Sequence, residues 1–109
     1  MDVTHPAPEI PLREATEAEV PGGARIKRKL AQANGWSVRA MYARGTRQHR
    51  TGKQGNVVDS MSLRMDRGNI YIAALWIDEK FDLAWRCPPG EFPTSGNSER
   101  LREWLVEPR

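Results

Sequence analysis

The chain has 109 residues, with 17 Lys and Arg against 14 Asp and Glu for a formal charge of +3, and 39% of its residues are hydrophobic. That length predicts one domain with a modest core, too small for a large enzyme cleft with its own lid. No run approaches the roughly 20 apolar residues that cross a bilayer, and no basic segment followed by an apolar run opens the chain, so a cytoplasmic location is expected.

The charges are segregated: residues 1–19 hold five acids and one base, residues 20–58 nine bases and no acid, and residues 59–109 seven bases and nine acids. Residues 1–20 carry Pro6, Pro8 and Pro11 with few large apolar side chains, which predicts a disordered acidic tail ahead of a single domain over 21–109. Thr16 and Glu19 have the spacing of a capping box, but Pro21-Gly22-Gly23 should stop any turn begun there. A helix is predicted from about Gly23 to Asn34, with Ile26, Leu30 and Ala33 on its apolar stripe and Arg25, Arg28, Lys29 and Gln32 opposite. Asn34-Gly35 supplies a left-handed stop.

From Trp36 the period becomes two: Trp36, Val38, Ala40 and Tyr42 share one face, and Ser37, Arg39 and Met41 the other. Residues 44–56, with three glycines, four bases and no aliphatic residue, read as a long exposed loop. A second strand, Val57 to Met65, puts Val57, Asp59, Met61, Leu63 and Met65 on its inward side. After a turn at Asp66–Asn69, the nearly continuous apolar run Ile70–Ile77 predicts a central strand covered on both faces. Asp78-Glu79 turns the chain, and Phe81, Leu83 and Trp85 then alternate with Asp82, Ala84 and Arg86 in a fourth strand with one wet face. Pro88-Pro89 ends it. Ser98 is the expected cap of a short closing helix whose stripe is Leu101, Trp104 and Leu105. The fold class is α+β, in the order α-β-β-β-β-α, with a four-stranded, mostly antiparallel sheet and both helices on one of its faces.

The nine-base block is the first candidate site. Arg25, Arg28, Lys29 and Arg39, together with Arg44, Arg47, Arg50 and Lys53 in the Gly-rich loop, suit a phosphate backbone, because each neutralised phosphate releases counterion. DNA or RNA is the expected partner. The competing reading is a solubilising surface whose arginines pair with the acids of the tail and the C-terminal half, the tail folding over the block in cis or between subunits. Asp59 is the second candidate, an acid in an inward-facing series; it reads either as a metal-binding carboxylate or as the partner of an arginine such as Arg39 or Arg44. Trp76, Trp85 and Trp104 form a third set, either a protein-interaction surface or part of the core.

Chemistry is constrained by what is missing from the sequence. Cys87 is the one cysteine, which rules out an internal disulfide and a thiolate zinc site, and His5 and His49 have no ligand-type neighbours. No nucleophile-base arrangement is visible either. A non-enzymatic protein without metal or cofactor is therefore expected, of open oligomeric state.

Two resemblances bear on this expectation. Gly35-Trp36-Ser37-Val38-Arg39 after a helix, the basic loop, and Val58-Asp59-Ser60-Met61-Ser62-Leu63-Arg64 resemble the opening of the Holliday-junction-resolvase group of PD-(D/E)xK nucleases over about residues 24–77. Asp59 matches that family's aspartate. The family's Glu-x-Lys is absent from Ile72–Ile77 and the first helix has no acid, so the resemblance implies a degenerate, inactive nuclease-like core. The stretches Gly35–Thr46, Val58-Asp59-Ser60 and Trp76–Trp85 are also similar to those of small proteins from phages of high-GC, actinobacterial hosts, over about residues 25–105. That resemblance implies no activity; it suggests an accessory protein in the host cytoplasm that binds nucleic acid or, alternatively, a host protein.

Overall fold

The structure is a computed structural model that describes residues 9–48 and 54–108. Six strands form one antiparallel sheet whose order across the sheet is their order in the chain. They are β1 (Ile10–Glu14), β2 (Ser37–Gln48), β3 (Gln54–Arg67), β4 (Ile70–Ile77), β5 (Lys80–Cys87) and β6 (Thr94–Gly96). Helix α1 (Gly22–Ala33) links β1 to β2, and α2 (Ser98–Val106) closes the chain. The α+β class and the antiparallel sheet are as expected; the number of strands is not.

One added strand, β1, comes from the expected acidic tail. Pro11 donates no hydrogen bond, and β1 occupies the edge where that loss is tolerated. β1 is held by pairing with β2, by the Ala15 amide donating to the Ala40 carbonyl (3.0 Å), and by the burial of Val20 just beyond it. Glu19 does reach back to the Thr16 amide (2.8 Å), and the resulting 3-10 turn lasts only Glu17–Glu19 before Pro21. The other addition, β6, is three residues after the Pro-rich loop, paired with β5. Residues 44–48 and 54–56, expected as loop, are strand: a two-stranded arm satisfies its own backbone groups and needs no aliphatic residue.

Both helices lie on one face of the sheet. Met61, Leu63, Met65, Ile72, Ala74, Trp76 and Ala84 supply the sheet side of the core, and Ala24, Ala31, Leu101, Trp104 and Leu105 the helix side. The stripe of α1 is not the expected one. Ile26 is 68% exposed and Ala33 is exposed, while Ala24 and Ala31 are fully buried with Leu30 half-buried beside them. The bulk of Trp36 and Trp76 already fills the layer, so the helix docks on its small residues; a Cβ on Gly23 would meet Trp76 Nε1 at 3.6 Å. Helix α2 is capped by Asn97, whose side chain accepts from the Arg100 amide at 2.8 Å, rather than by Ser98. Its packing on β6 is tight, since a Cβ on Gly96 would lie 2.7 Å from the Trp104 ring.

A bulge between β4 and β5 sets what faces outward. Trp76 pairs with Phe81 but Leu75 pairs with Leu83, which leaves Asp82 as the extra residue and exchanges the two faces of β5 beyond it. Phe81 packs edge-on against Trp76 (5.4 Å), Ala84 is buried, and Leu83 and Trp85 turn to the helix-free side, the reverse of the face expected for them. Arg67 joins the far ends of both helices: it donates to the Asn34 carbonyl (3.1 Å) and the Glu107 carbonyl (2.9 Å), with its guanidinium 4.3 Å from the Trp36 ring centre.

Candidate functional site

One N-terminal acid, Glu17, lands on the helical half of the basic block. Glu17 accepts from Arg28 Nη2 at 2.6 Å and lies 3.8 Å from Arg25 Nε, while Arg25 also donates to the Val20 and Glu17 carbonyls. These cations hold the Glu17 carboxyl below the usual range, the Arg28 hydrogen bond foremost. Glu14 lies 3.4 Å from Arg39. Lys27 is half-buried, and burial, with Arg102 nearby, lowers its pKa. Lys29 is exposed. Arg25, Arg28 and Arg39 are therefore paired within the chain, the arrangement in which the acidic segment folds back in cis.

The second element of the site is the root of the β2–β3 hairpin. Asp59 is half-exposed and not the buried acid that its inward series suggested, because β4 covers β3 only from Ser60 onward. Its Oδ1 accepts from the Tyr42 hydroxyl (2.8 Å) and from Arg44 Nε (2.6 Å). The Arg44 bond, then the Tyr42 bond, lowers the Asp59 pKa, and the same contacts raise those of Tyr42 and Arg44. Arg44, one of the expected phosphate contacts, is thus committed to Asp59. Next to this triad Arg13 grips Glu19 with two bonds of 2.7 Å and lies 4.8 Å from the Tyr42 ring centre; with the Thr16 amide it depresses the Glu19 pKa to about 2.

Glu19, Tyr42, Arg44 and Asp59 border a cleft of about 280 Å³ that also touches Pro21, Trp76 and Glu79. Its lip is the β4–β5 turn, where Asp78 (φ 47°) and Glu79 (φ 70°) are both left-handed, the backbone of a tight hairpin turn. Asp78 is held there by accepting from the Asp59 amide at 3.0 Å while its own amide donates to the Asp59 carbonyl at 2.8 Å. Among the described residues no group of three His, Cys, Asp or Glu is placed to hold a metal ion.

Beyond Arg44 and Asp59 the hairpin leaves the sheet. β1 pairs with β2 only as far as Arg44 and β4 with β3 only as far as Ser60, so Gly45–Gln48 and Gln54–Val58 continue as a two-stranded ribbon. The molecule measures 60 × 31 × 21 Å, and its 15.5 Å radius of gyration exceeds the roughly 13 Å of a compact chain this long. Residues 45–58 contain Arg47, Arg50 and Lys53 and no acid. Arg50 and Lys53 lie outside the described residues, and only the backbone of Arg47 is described. Near the base, Thr46 Oγ1 is 3.5 Å from Glu9 Oε1.

Of the tryptophans, Trp76 and Trp104 are core residues, 2% and 4% exposed, and only Trp85 of that set is half-exposed. Trp36 and Tyr42 are also buried. Sequence reasoning missed two things at the site: Arg13 as the grip on Glu19, and the individual acid partners of the helix. The available signal was the opposite net charge of residues 1–19 and 20–58, which names the partners as classes but not as pairs. Comparison with protein-family models, with curated proteins and with solved structures gives no match. Among the described residues no helix is long and apolar enough to cross a membrane.

Proposed function

We propose that this protein binds nucleic acid through the β2–β3 ribbon, without catalysing a reaction. The observation that carries the reading is the ribbon itself: a two-stranded arm projecting past the sheet, on a stretch with three cations and no acid, while Arg25, Arg28 and Arg39 are already paired. A two-stranded ribbon is the width that the major groove of B-form DNA admits. The working surface is accordingly narrower than the whole basic block. Arg47, Arg50 and Lys53 act as phosphate contacts, Arg44 braces the root against Asp59, and the helix contributes little.

Mobility-shift titration of a DNA duplex over a salt series tests this. The affinity should fall steeply with salt, and the combined Arg47, Arg50 and Lys53 to Ala variant should flatten the log–log salt slope by about 2–3, the loss of three phosphate contacts. Arg28→Ala should leave the slope nearly unchanged. Absence of binding at about 50 mM salt, or a slope that responds to Arg28→Ala as strongly as to the ribbon variant, would overturn the reading.

A further inference from the structure

The face of the sheet opposite the helices is open, yet it is built as if to be covered. An antiparallel sheet with one wet face alternates apolar and polar residues, and β3 obeys the rule, sending Ser60, Ser62 and Arg64 outward against Met61, Leu63 and Met65 inward. β4 and β5 do not. Their outward residues are Tyr71, Ala73, Leu75 and Ile77, joined by Leu83 and Trp85 through the bulge at Asp82, and all six are only half-buried. None belongs to the core, both helices pack on the opposite face, and Tyr71 carries the Arg64 guanidinium 4.1 Å from its ring centre. A single chain seldom leaves an apolar surface of this kind in water.

We propose that this face is the interface of a homodimer, two copies packing sheet against sheet across a two-fold axis. Charge favours a second copy over a partner of opposite charge. The apolar patch itself has no charged residue; of the cations beside it, Arg39 and Arg64 already pair within the chain, with Glu14 at 3.4 Å and Asp66 at 3.2 Å, and Lys80 stands across from Ile77 at the β4–β5 turn. An apolar patch whose two arginines are paired within the chain is complementary to itself, which is what an isologous contact requires. Size agrees as well. Four strands at about 4.8 Å spacing and some seven residues at about 3.3 Å rise span about 20 Å by 25 Å. With side-chain relief that is of the order of the ~800 Å² per partner in a standard interface. Sheets packed this way sit about 10 Å apart, a distance that Leu75, Leu83 and Trp85 can fill.

The test needs only the purified full chain, without nucleic acid. Light scattering or sedimentation across a dilution series up to about 100 μM should show twice the 12.4 kDa chain mass, falling toward one chain on dilution. Leu75→Lys and Leu83→Lys should each give a folded monomer, whereas Leu12→Lys, on the β1 edge at 68% exposure, should leave the dimer intact. Trp85 is the only tryptophan not buried, so in the unaltered protein acrylamide quenching should weaken as concentration rises. This reading decides the matter even where a lysine variant fails to fold. A mass of one chain throughout the series, a dimer untouched by both lysine variants, or quenching independent of concentration each rejects the dimer.

Discussion

The two faces of one sheet share strands, backbone and solvent conditions, yet they are organised by different means. On the helix side the outcome is set by volume: the large indoles of Trp36 and Trp76 leave room only for Ala24 and Ala31 of α1, and no buried side-chain nitrogen or oxygen among the described residues lacks a partner. On the open side the outcome is set by register, because a single extra residue at Asp82 sends Leu83 and Trp85 away from the core. The difference teaches that an apolar run such as Ile70–Ile77 specifies burial of both faces without specifying what buries the second.

Truncating one leucine on each face is the sharpest way to break the comparison. Leu63→Ala removes a fully buried side chain and should cost about 3 kcal/mol in denaturant unfolding, whereas Leu75→Ala, measured in dilute solution, should cost less than about half of that. Equal losses would mean that the open face is already covered within one chain. A middling effect is expected for Arg67→Ala, which frees the Asn34 and Glu107 carbonyls on the helix side; about 1–2 kcal/mol of stability should go, with amide exchange rising at the ends of α1 and α2. The smallest effect is electrostatic and local. Glu19 has its folded pKa lowered to about 2 from an ordinary 4.5, so its contribution is present above pH 4.5 and is lost as pH falls toward 2, where the unfolded chain binds the proton more readily. Amide exchange at Ala15 should rise through that window while the β3–β4 pairing stays protected, and Glu19→Gln should abolish the pH dependence.

Much of the fold was legible where pattern and packing agree. The stripe Leu101, Trp104 and Leu105, the inward series Met61, Leu63 and Met65, and the turns at Asp66–Asn69 and Asp78-Glu79 need only periodicity and turn chemistry to be read. β1 was illegible because its stability is tertiary: Pro11 and its acids argue against a strand, and only the partners Ala40, Tyr42 and Arg39 supply reasons for one. The face of α1 was misread because the wheel favours the largest apolar side chains, while the space left by two indoles favours the smallest. At the site, pairing of Asp59 with Arg44 was among the readings that the sequence left open, and the cation surplus was visible as a count. Which arginines stay unpaired was not, since that depends on where Glu14 and Glu17 come to rest.

The strand order carries one further consequence, for folding kinetics. From β2 to β6 each strand pairs with its neighbour in the chain, so the entropy lost in closing those contacts is that of short connections, the topology of fast-folding sheets. The expensive closure is concentrated elsewhere, where the Trp36 indole donates to the Leu105 carbonyl across 69 residues at 3.0 Å. Chain entropy therefore opposes the docking of the last helix more than the growth of the sheet beneath it.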